Sequence, residues 1–403
     1  MKIKSCRSCK SEHLSKVFSL GRQTLTGIFP PTKQAKISKG DLSLILCERC
    51  KLLQLANNFN PNEMYGENYG YMSSLNKSMM THLKLKAVNF QNKYKLKSSQ
   101  NILDIGSNDG TFLSYFNKNF NLFGCDPTIK KFSKYYRKDI IKIPKFFSSN
   151  LFENKKFKLI TSISMFYDLP DPSKFANEVS SILEKNGIWH IELSYMPMML
   201  KNISYDTICH EHLEYYSLKS LKYLLDRANL KIINLAFNQI NGGSIELDVA
   251  KKNSKFKESK DLINWVLQSE KLNSYNELHR QKEFYKQCVN HKILLKKLLV
   301  TLKKQNKKVF GYGASTKGNV ILQFSKIDNK LINYIGEVNK FKFNKFTPGS
   351  KIKIISEEKL KKLKPDYLLV LPWHFKDHIL KRENKFMQNG GKFIFPLPDI
   401  EII

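Results

Sequence analysis

One stretch in the first third of the chain limits what the rest can fold into. Ile102-Leu103-Asp104-Ile105 is a short apolar strand, Gly106-Ser107-Asn108-Asp109-Gly110 a glycine-bracketed turn, and Thr111-Phe112-Leu113 the opening of a helix. A strand that feeds a helix through so tight a turn is half of a βαβ unit, and such units assemble into parallel sheets covered by helices. Gly106 and Gly110 let the backbone approach a bound molecule with no Cβ in the way. The helix start behind them presents free N–H groups to polar or anionic atoms.

The alternation continues as a doubly wound α/β sheet requires. Leu122-Phe123-Gly124-Cys125 reads as the next strand and ends at Asp126, with a helix expected over 130–136. A buried strand over 158–166 leads to Asp168, a helix covers 175–183, and a strand over 187–193 carries Glu192. Asn241-Gly242-Gly243-Ser244 is a tight turn, and 245–250 alternates as an edge strand. In open α/β sheets the ligand lies beyond the carboxyl ends of the strands, which gathers Asp104, Asp126, Asp168 and Glu192 around one crevice. An acid at the end of the second strand is placed to hold a ribose diol. The spacing is G-x-x-x-G rather than G-x-G-x-x-G, and with that acid it resembles motif I of class I S-adenosylmethionine (SAM) methyltransferases.

Ahead of this domain, residues 1–60 carry two C-x-x-C knuckles, Cys6/Cys9 and Cys47/Cys50. Four thiolates in two such pairs suit a closed tetrahedral zinc site, and so short a unit needs a staple. From 61 to 98 the chain becomes an aromatic and helical connector in which Tyr65, Tyr69 and Tyr71 cluster. They either pack the zinc unit onto its neighbour or line a pocket with hydrogen-bonding tips.

The densest titratable cluster is His210-Glu211-His212-Leu213-Glu214, just before a helix over 218–228. H-x-H is not the i, i+4 spacing of a helical zinc site, and histidine beside glutamate fits a general base with an orienting partner. A hydrogen-bonded pair capping the next helix is the plainer alternative. The domain expected over 99–251 is followed by an amphipathic helical linker over 252–304, without sustained heptads. At 305–403 a second Rossmann-like unit begins with a strand and the turn Gly311-Tyr312-Gly313-Ala314-Ser315, then Lys317 on a helix start. That turn suits a diphosphate, with Lys317 adding a point charge and Tyr312 and Ser315 close by.

The formal charge of +33 raises nucleic acid as a partner. The lysines, however, are scattered along the chain, so solvated lysines and an attraction for small anionic substrates account for it. The beginning has no apolar leader and no run reaches ~18 apolar residues, which points to a cytoplasmic protein without a membrane segment. Oligomeric state is not legible.

Taken in order, the Cys₄ unit, Ile105 to Gly110, His210-Glu211-His212, Gly311 to Ala314 and Thr347-Pro348-Gly349 resemble the sugar-nucleotide C-methyltransferases, which build branched deoxysugars. The resemblance implies a zinc-binding domain, a SAM domain and a C-terminal Rossmann-like domain. It implies SAM on Gly106, Asn108, Asp109 and Gly110, with Asp126 on its ribose, and a nucleotide-linked sugar near Tyr69, Tyr312, Ser315 and Lys317. His212 would act as base with Glu211 beside it, and Tyr71 or His210 as donor. The match departs from the family at Cys209, where relatives carry tyrosine, and at Asp168, where they carry histidine. Methyl transfer to oxygen or nitrogen is the alternative reading.

Overall fold

The protein is described from a computed structural model that covers residues 2–65 and 70–403. Among these residues are three sheets, and the third is reached only after the chain has returned to the first. β1 (Leu14–Thr24) and β2 (Lys39–Cys47) form an antiparallel hairpin, and β3 (Leu53–Leu55) pairs with β2. Leu42, Leu44 and Leu46 alternate along one buried face of β2, the period of a half-buried strand.

After a long helix, Lys77–Lys93, the central sheet follows: β4 (Asn101–Ile105), β5 (Asn121–Cys125), β6 (Ile141–Ile143), β7 (Phe157–Ile163) and β8 (Leu183–Ser194), all parallel. The helix Pro172–Ile182 shows how sequence sets each crossover. Asp171 accepts a hydrogen bond from the Lys174 N–H, Pro172 occupies the first turn, and Phe175, Ala176, Val179 and Ile182 form the buried stripe. β9 (Glu214–Tyr215) then leaves the central sheet and becomes the fourth strand of the first one, with Leu53 opposite Tyr215 and Gln54 opposite Glu214. β10 (Leu230–Asn238) and β11 (Ser244–Lys251) complete the central sheet in the order β10-β11-β8-β7-β4-β5-β6. This is the expected Rossmann-like, class I methyltransferase sheet, with one correction. β11 is not an edge strand: it lies between β8 and β10, antiparallel to both, because its two faces are almost wholly buried.

The C-terminal unit is a second, mostly parallel sheet of β12 (Val309–Tyr312), β13 (Tyr334–Glu337), β14 (Lys353–Ser356), β15 (Tyr367–Val370), β16 (Lys392–Phe395) and β17 (Glu401–Ile402), ordered β14-β13-β12-β15-β16-β17. The stretch read as a linker is two helices, Lys260–Leu272 and Leu278–Lys304. The second is more than a connector, since Phe284, Cys288, Leu295, Leu299 and Leu302 are built into the same core as β12 and β15. That core also takes in Leu42, Leu44 and Leu46 of the first sheet and Tyr205, Ile208 and Leu213 of the segment before β9. The expected helix over 130–136 is shorter, Ile129–Phe132 with a 3₁₀ turn after it. Among the described residues no helix is long and apolar enough to cross a membrane.

Candidate active site

The four cysteines converge as their spacing requires. Cys6 Sγ lies 3.6 Å from Cys50 Sγ and Cys9 Sγ 3.4 Å from Cys47 Sγ, all four within 4.8 Å of one another, buried and without a disulfide. Zinc at ~2.3 Å from each sulfur of a tetrahedron sets the sulfurs about 3.8 Å apart, so the cluster fits the metal. What surrounds it ties the metal site to the rest of the chain. Gln54 Nε2 donates to Cys6 Sγ, and Gln54 Oε1 accepts from the Arg7 backbone. The buried Arg7 guanidinium donates to Leu55 O and Asn57 O, and its Nε stands 3.6 Å from Glu214.

In the turn after β4, Gly106, Asn108 and Gly110 all have positive φ, at 78°, 50° and 77°. A Cβ on Gly106 would lie 2.8 Å from Met165 and one on Gly110 2.7 Å from Tyr136, so glycine is required at both. Asp109 Oδ1 accepts from Thr111 N and Oγ1 and caps the short helix, while its Oδ2 accepts from Ser74 N. Asn108 Oδ1 accepts from Ser73 N and its Nδ2 donates to Tyr71 O. These two side chains therefore hold the connector across the loop, and what they leave for a cofactor is the backbone of the turn. Asp126 takes the Asn108 N–H on one oxygen and Thr128 on the other; burial pushes its carboxyl above the usual range. Each of its oxygens keeps acceptor capacity for a diol. Asp104, at the end of β4, is raised to about 7 by burial although Thr161 donates to it.

Residues 205–213 carry the reactive cluster between the three sheets. His212 Nδ1 is 2.7 Å from Thr207 O, which fixes the proton on Nδ1 and leaves Nε2 as a lone pair. Burial and the charge of Lys317 hold this imidazole down to about 3, and the Tyr167 ring packs on it at 4.3 Å. The orienting acceptor is thus the Thr207 carbonyl, where the sequence pointed to Glu211. The chain bends at 209–211, with the His212 N–H donating to Cys209 O, and this turns Glu211 away from His212 and toward the residues between β1 and β2. Glu211 accepts from Thr26 Oγ1 at 3.2 Å, and a Cβ on Gly27 would come within 2.3 Å of its Oε1. His210 turns away as well: its ring is buried against Phe59 with Nε2 3.4 Å from Gly40 O, so it does not face His212 as a donor. Cys209 is fully buried.

Lys317, from the first turn of the helix Thr316–Phe324, donates to Asn241 O at 2.9 Å and is near enough to His212 for its charge to disfavour an imidazolium. Asp206 and Cys209 are near enough to oppose the lowering that burial imposes on its ammonium. Asp206 accepts from Trp373 Nε1 at 2.8 Å, and His374 follows Trp373, its imidazole held down to about 3 by burial and by Lys317. Asp168 Oδ1, Asp206 Oδ1, His210 Nδ1 and His374 Nδ1 are buried with no hydrogen-bond partner among the described residues. Native proteins rarely leave such atoms unpaired, and a polar ligand would pair those that line the cleft. Asp206, His374, Thr26 and Gly27 carry no local sequence signal. Two expected substrate contacts are already engaged within the protein. Tyr312 is buried with its hydroxyl on Glu383 and Arg382, and Ser315 Oγ caps the helix through the Gly318 N–H. Tyr69 lies outside the described residues. Tyr71 is 46% exposed and feels the charges of Asp109 and Glu192.

A second cluster, His82, Glu192 and Glu246, places donor atoms within 4.8 Å of one another. Lys86 Nζ sits 2.6 Å from Glu192 and 2.8 Å from Glu246, so an ammonium already supplies the cation there. Burial alone would raise Glu192; His82 and Lys86 bring it down to about 2.

Comparison with known proteins divides the chain in the same way. Residues 6–65 match a "Putative zinc binding domain", 77–235 a "Methyltransferase domain" and 239–398 a "C-methyltransferase C-terminal domain". The C-methyltransferase NovU of Streptomyces niveus is 27% identical over 409 residues, covering 100% of this chain and 97% of that protein. Among solved structures, a SAM-dependent methyltransferase from Clostridium acetobutylicum aligns with 43% of this chain and 92% of its own (15% identity, TM-score 0.34). The plantazolicin methyltransferase BpumL in complex with SAH aligns with 43% of this chain and 86% of its own (14% identity, TM-score 0.35). The three matched segments run almost end to end and in one order, beside a relative similar over the full length: the chain is a SAM-dependent methyltransferase, similar throughout to the C-methyltransferase NovU.

Proposed function

We propose that this enzyme methylates the carbon beside a ketone in a nucleotide-linked 4-keto-deoxysugar, with His212 as the base. The observation that carries this reading is the His212 tautomer: Nδ1 is committed to Thr207 O, so Nε2 is left unprotonated. A ketone at C4 acidifies the C3–H, and Nε2 is the group that takes that proton. The proton loss leaves an enolate, whose negative oxygen needs a nearby positive charge or donor. Lys317 supplies the charge, with Tyr71 as a second donor. The same ammonium that disfavours an imidazolium in the empty cleft is neutralised as the enolate forms, so His212 gains basicity as the reaction proceeds. When bound on the 106–110 turn, SAM supplies the electrophilic methyl that the carbanion carbon takes. Gly106 and Gly110 bring backbone close to that cofactor, and the connector strapped down by Asn108 and Asp109 shields the cleft from water.

The test is C3 deuterium exchange of a nucleotide-linked 4-keto-6-deoxyhexose in D₂O with S-adenosylhomocysteine (SAH) present. Exchange by the wild type and its loss in His212→Asn, with SAH affinity kept, is the expected result. Binding of both ligands without exchange would instead move the reaction to an oxygen acceptor.

A further inference from the structure

The turn that joins β10 to β11 is bent in a way most residues avoid. Asn241 (φ 58°, ψ 17°), Gly242 (φ 89°) and Gly243 (φ 124°) follow one another at positive φ. Such backbone persists only where its surroundings over-determine it, and it gathers where function needs it. Here it is tied down from several sides. Asn241 Nδ2 donates to Ser164 Oγ at 3.0 Å and Asn202 Nδ2 to Gly242 O at 2.9 Å. The Tyr195 N–H donates to Gly243 O at 3.1 Å, and Ser244 Oγ to Ile240 O at 2.9 Å. The Asn241 carbonyl is used differently: it takes the Lys317 ammonium at 2.9 Å.

Gly242 also lies close against Trp373, where a Cβ would come within 3.0 Å of the indole. The indole Nε1 donates to Asp206 Oδ2 at 2.8 Å, so the turn, the ring and the carboxylate pack as one unit. Asp206 is 1% exposed, and its Oδ1 has no partner among the described residues. It precedes Thr207, whose carbonyl orients His212. The groups that face the Lys317 ammonium are Asp206, Cys209 and His212 from residues 205–212, and His374 from the turn after β15. Asp206 is the one carboxylate in this set. Burial works against the charge on Lys317, as it does on both imidazoles. An ammonium in such surroundings gives up its proton readily unless an opposite charge stands nearby.

We propose that Asp206 is a positioning residue that, together with the Asn241 carbonyl, keeps Lys317 charged and fixed near His212. The carbonyl sets where the ammonium stands, and Asp206 supplies its counter-charge. Trp373, packed on Gly242, sets where Asp206 stands. The inference rests on the proposed reading of Lys317 as the charge that stabilises the enolate, and adds how that proton is retained in a site where burial opposes charge. One short segment then serves both groups: Thr207 holds His212 neutral, and Asp206 beside it holds Lys317 positive.

Competitive acetylation read by mass spectrometry gives the titration of the Lys317 amine in the full-length, zinc-loaded protein with SAH and no sugar. Asp206→Asn should move that titration down by about one pH unit or more, since a nearby opposite charge is lost. Asp206→Glu, which keeps the charge, should restore most of the wild-type value. Trp373→Phe should also move it down, because the Asp206 carboxylate loses the donor that favours its charged form. In C3 deuterium exchange, activity is lost at high pH as Lys317 gives up its proton, so the loss should begin at lower pH in Asp206→Asn. In a Lys317→Met background, Asp206→Asn should leave the pH profile of the residual exchange as it is. A Lys317 titration unmoved by Asp206→Asn overturns the proposal, and where that variant does not bind SAH, one unmoved by Trp373→Phe does so. A further change of profile in the Lys317→Met background overturns it as well, since Asp206 would then act on another group. Wild-type exchange with an unmoved titration leaves the proposed reaction standing without this role for Asp206. A shifted titration with no wild-type exchange removes the reaction and upholds the role.

Discussion

Replacing Arg7 with methionine should loosen the catalytic segment without touching the SAM domain. The guanidinium is 3% exposed and donates to Leu55 O, Asn57 O and Asn58 Oδ1 at 2.6–3.2 Å, with Glu214 at 3.6 Å. Burial pushes the Glu214 carboxyl well above the usual range, and Arg7 is the opposing charge. Leaving Leu55 O, Asn57 O and Asn58 Oδ1 without this donor costs about 3–5 kcal/mol in all, at about 1–3 kcal/mol for each buried acceptor left unpaired. The loss is local, because the affected groups belong to β3 and β9 and to the Leu55 N–H bond to Leu213 O. At about 1.4 kcal/mol per tenfold, amide exchange over 53–58 and 205–216 should speed up by about 100-fold to a few thousandfold. Peptides over 101–125 should exchange as before, and SAH affinity should hold within twofold while turnover falls. Unchanged exchange over 205–216 would show that the segment is held by something other than the zinc unit. A parallel collapse of SAH affinity would show that Arg7 stabilises the whole molecule, and either result refutes the reasoning.

The other expectations concern the metal and the proton. Metal analysis should find about one zinc per chain, as a closed Cys₄ site requires, and Cys47→Ser should lose it; a metal-free wild type would end the assignment. Only the neutral form of His212 can accept the C3 proton, and with its imidazole held down to about 3 that form prevails throughout the range above. Turnover should therefore show no acid limb near the ordinary histidine value of about 6.5. Lys317→Met removes one of the two causes of that depression, so any acid limb should move up in pH in the variant. A limb near 6.5 in the wild type, or one that Lys317→Met moves down, contradicts the assignment.

What the sequence disclosed were the features written in local spacing. The two cysteine pairs, the glycine turn after β4, Asp126 just beyond β5 and the histidine cluster are each set within a dozen residues or by a repeated motif. The pairing of β9 with β3 could not be read, because two-residue strands have no period and their partner lies about 160 residues away. Thr26 and Gly27 against Glu211 fail for the same reason. Adjacency in sequence points to Glu211 as the partner of His212, but the bend at 209–211 turns the two side chains apart. Lys317 was found by its place after a glycine turn, yet its direction is set by Asn241 O, 76 residues earlier. The buried face of β11 was legible and its place in the sheet was not, since alternation does not say which neighbour a strand will find.

The first sheet borrows its fourth strand from the far side of the methyltransferase domain, and this sets an order of events during synthesis. The zinc knuckles and the β1–β2 hairpin can close as soon as Cys50 has emerged, yet the edge of β3 stays open until Glu214 and Tyr215 follow. At ~5–20 residues per second, the roughly 160 residues between take about 8 to 32 s. Through that interval Leu53 and Leu55 form an exposed strand edge, a surface on which nascent chains can mispair. The segment that ends in β9 is thus the last strand of the first sheet to dock, and it docks on a cysteine cluster whose four thiols emerged long before.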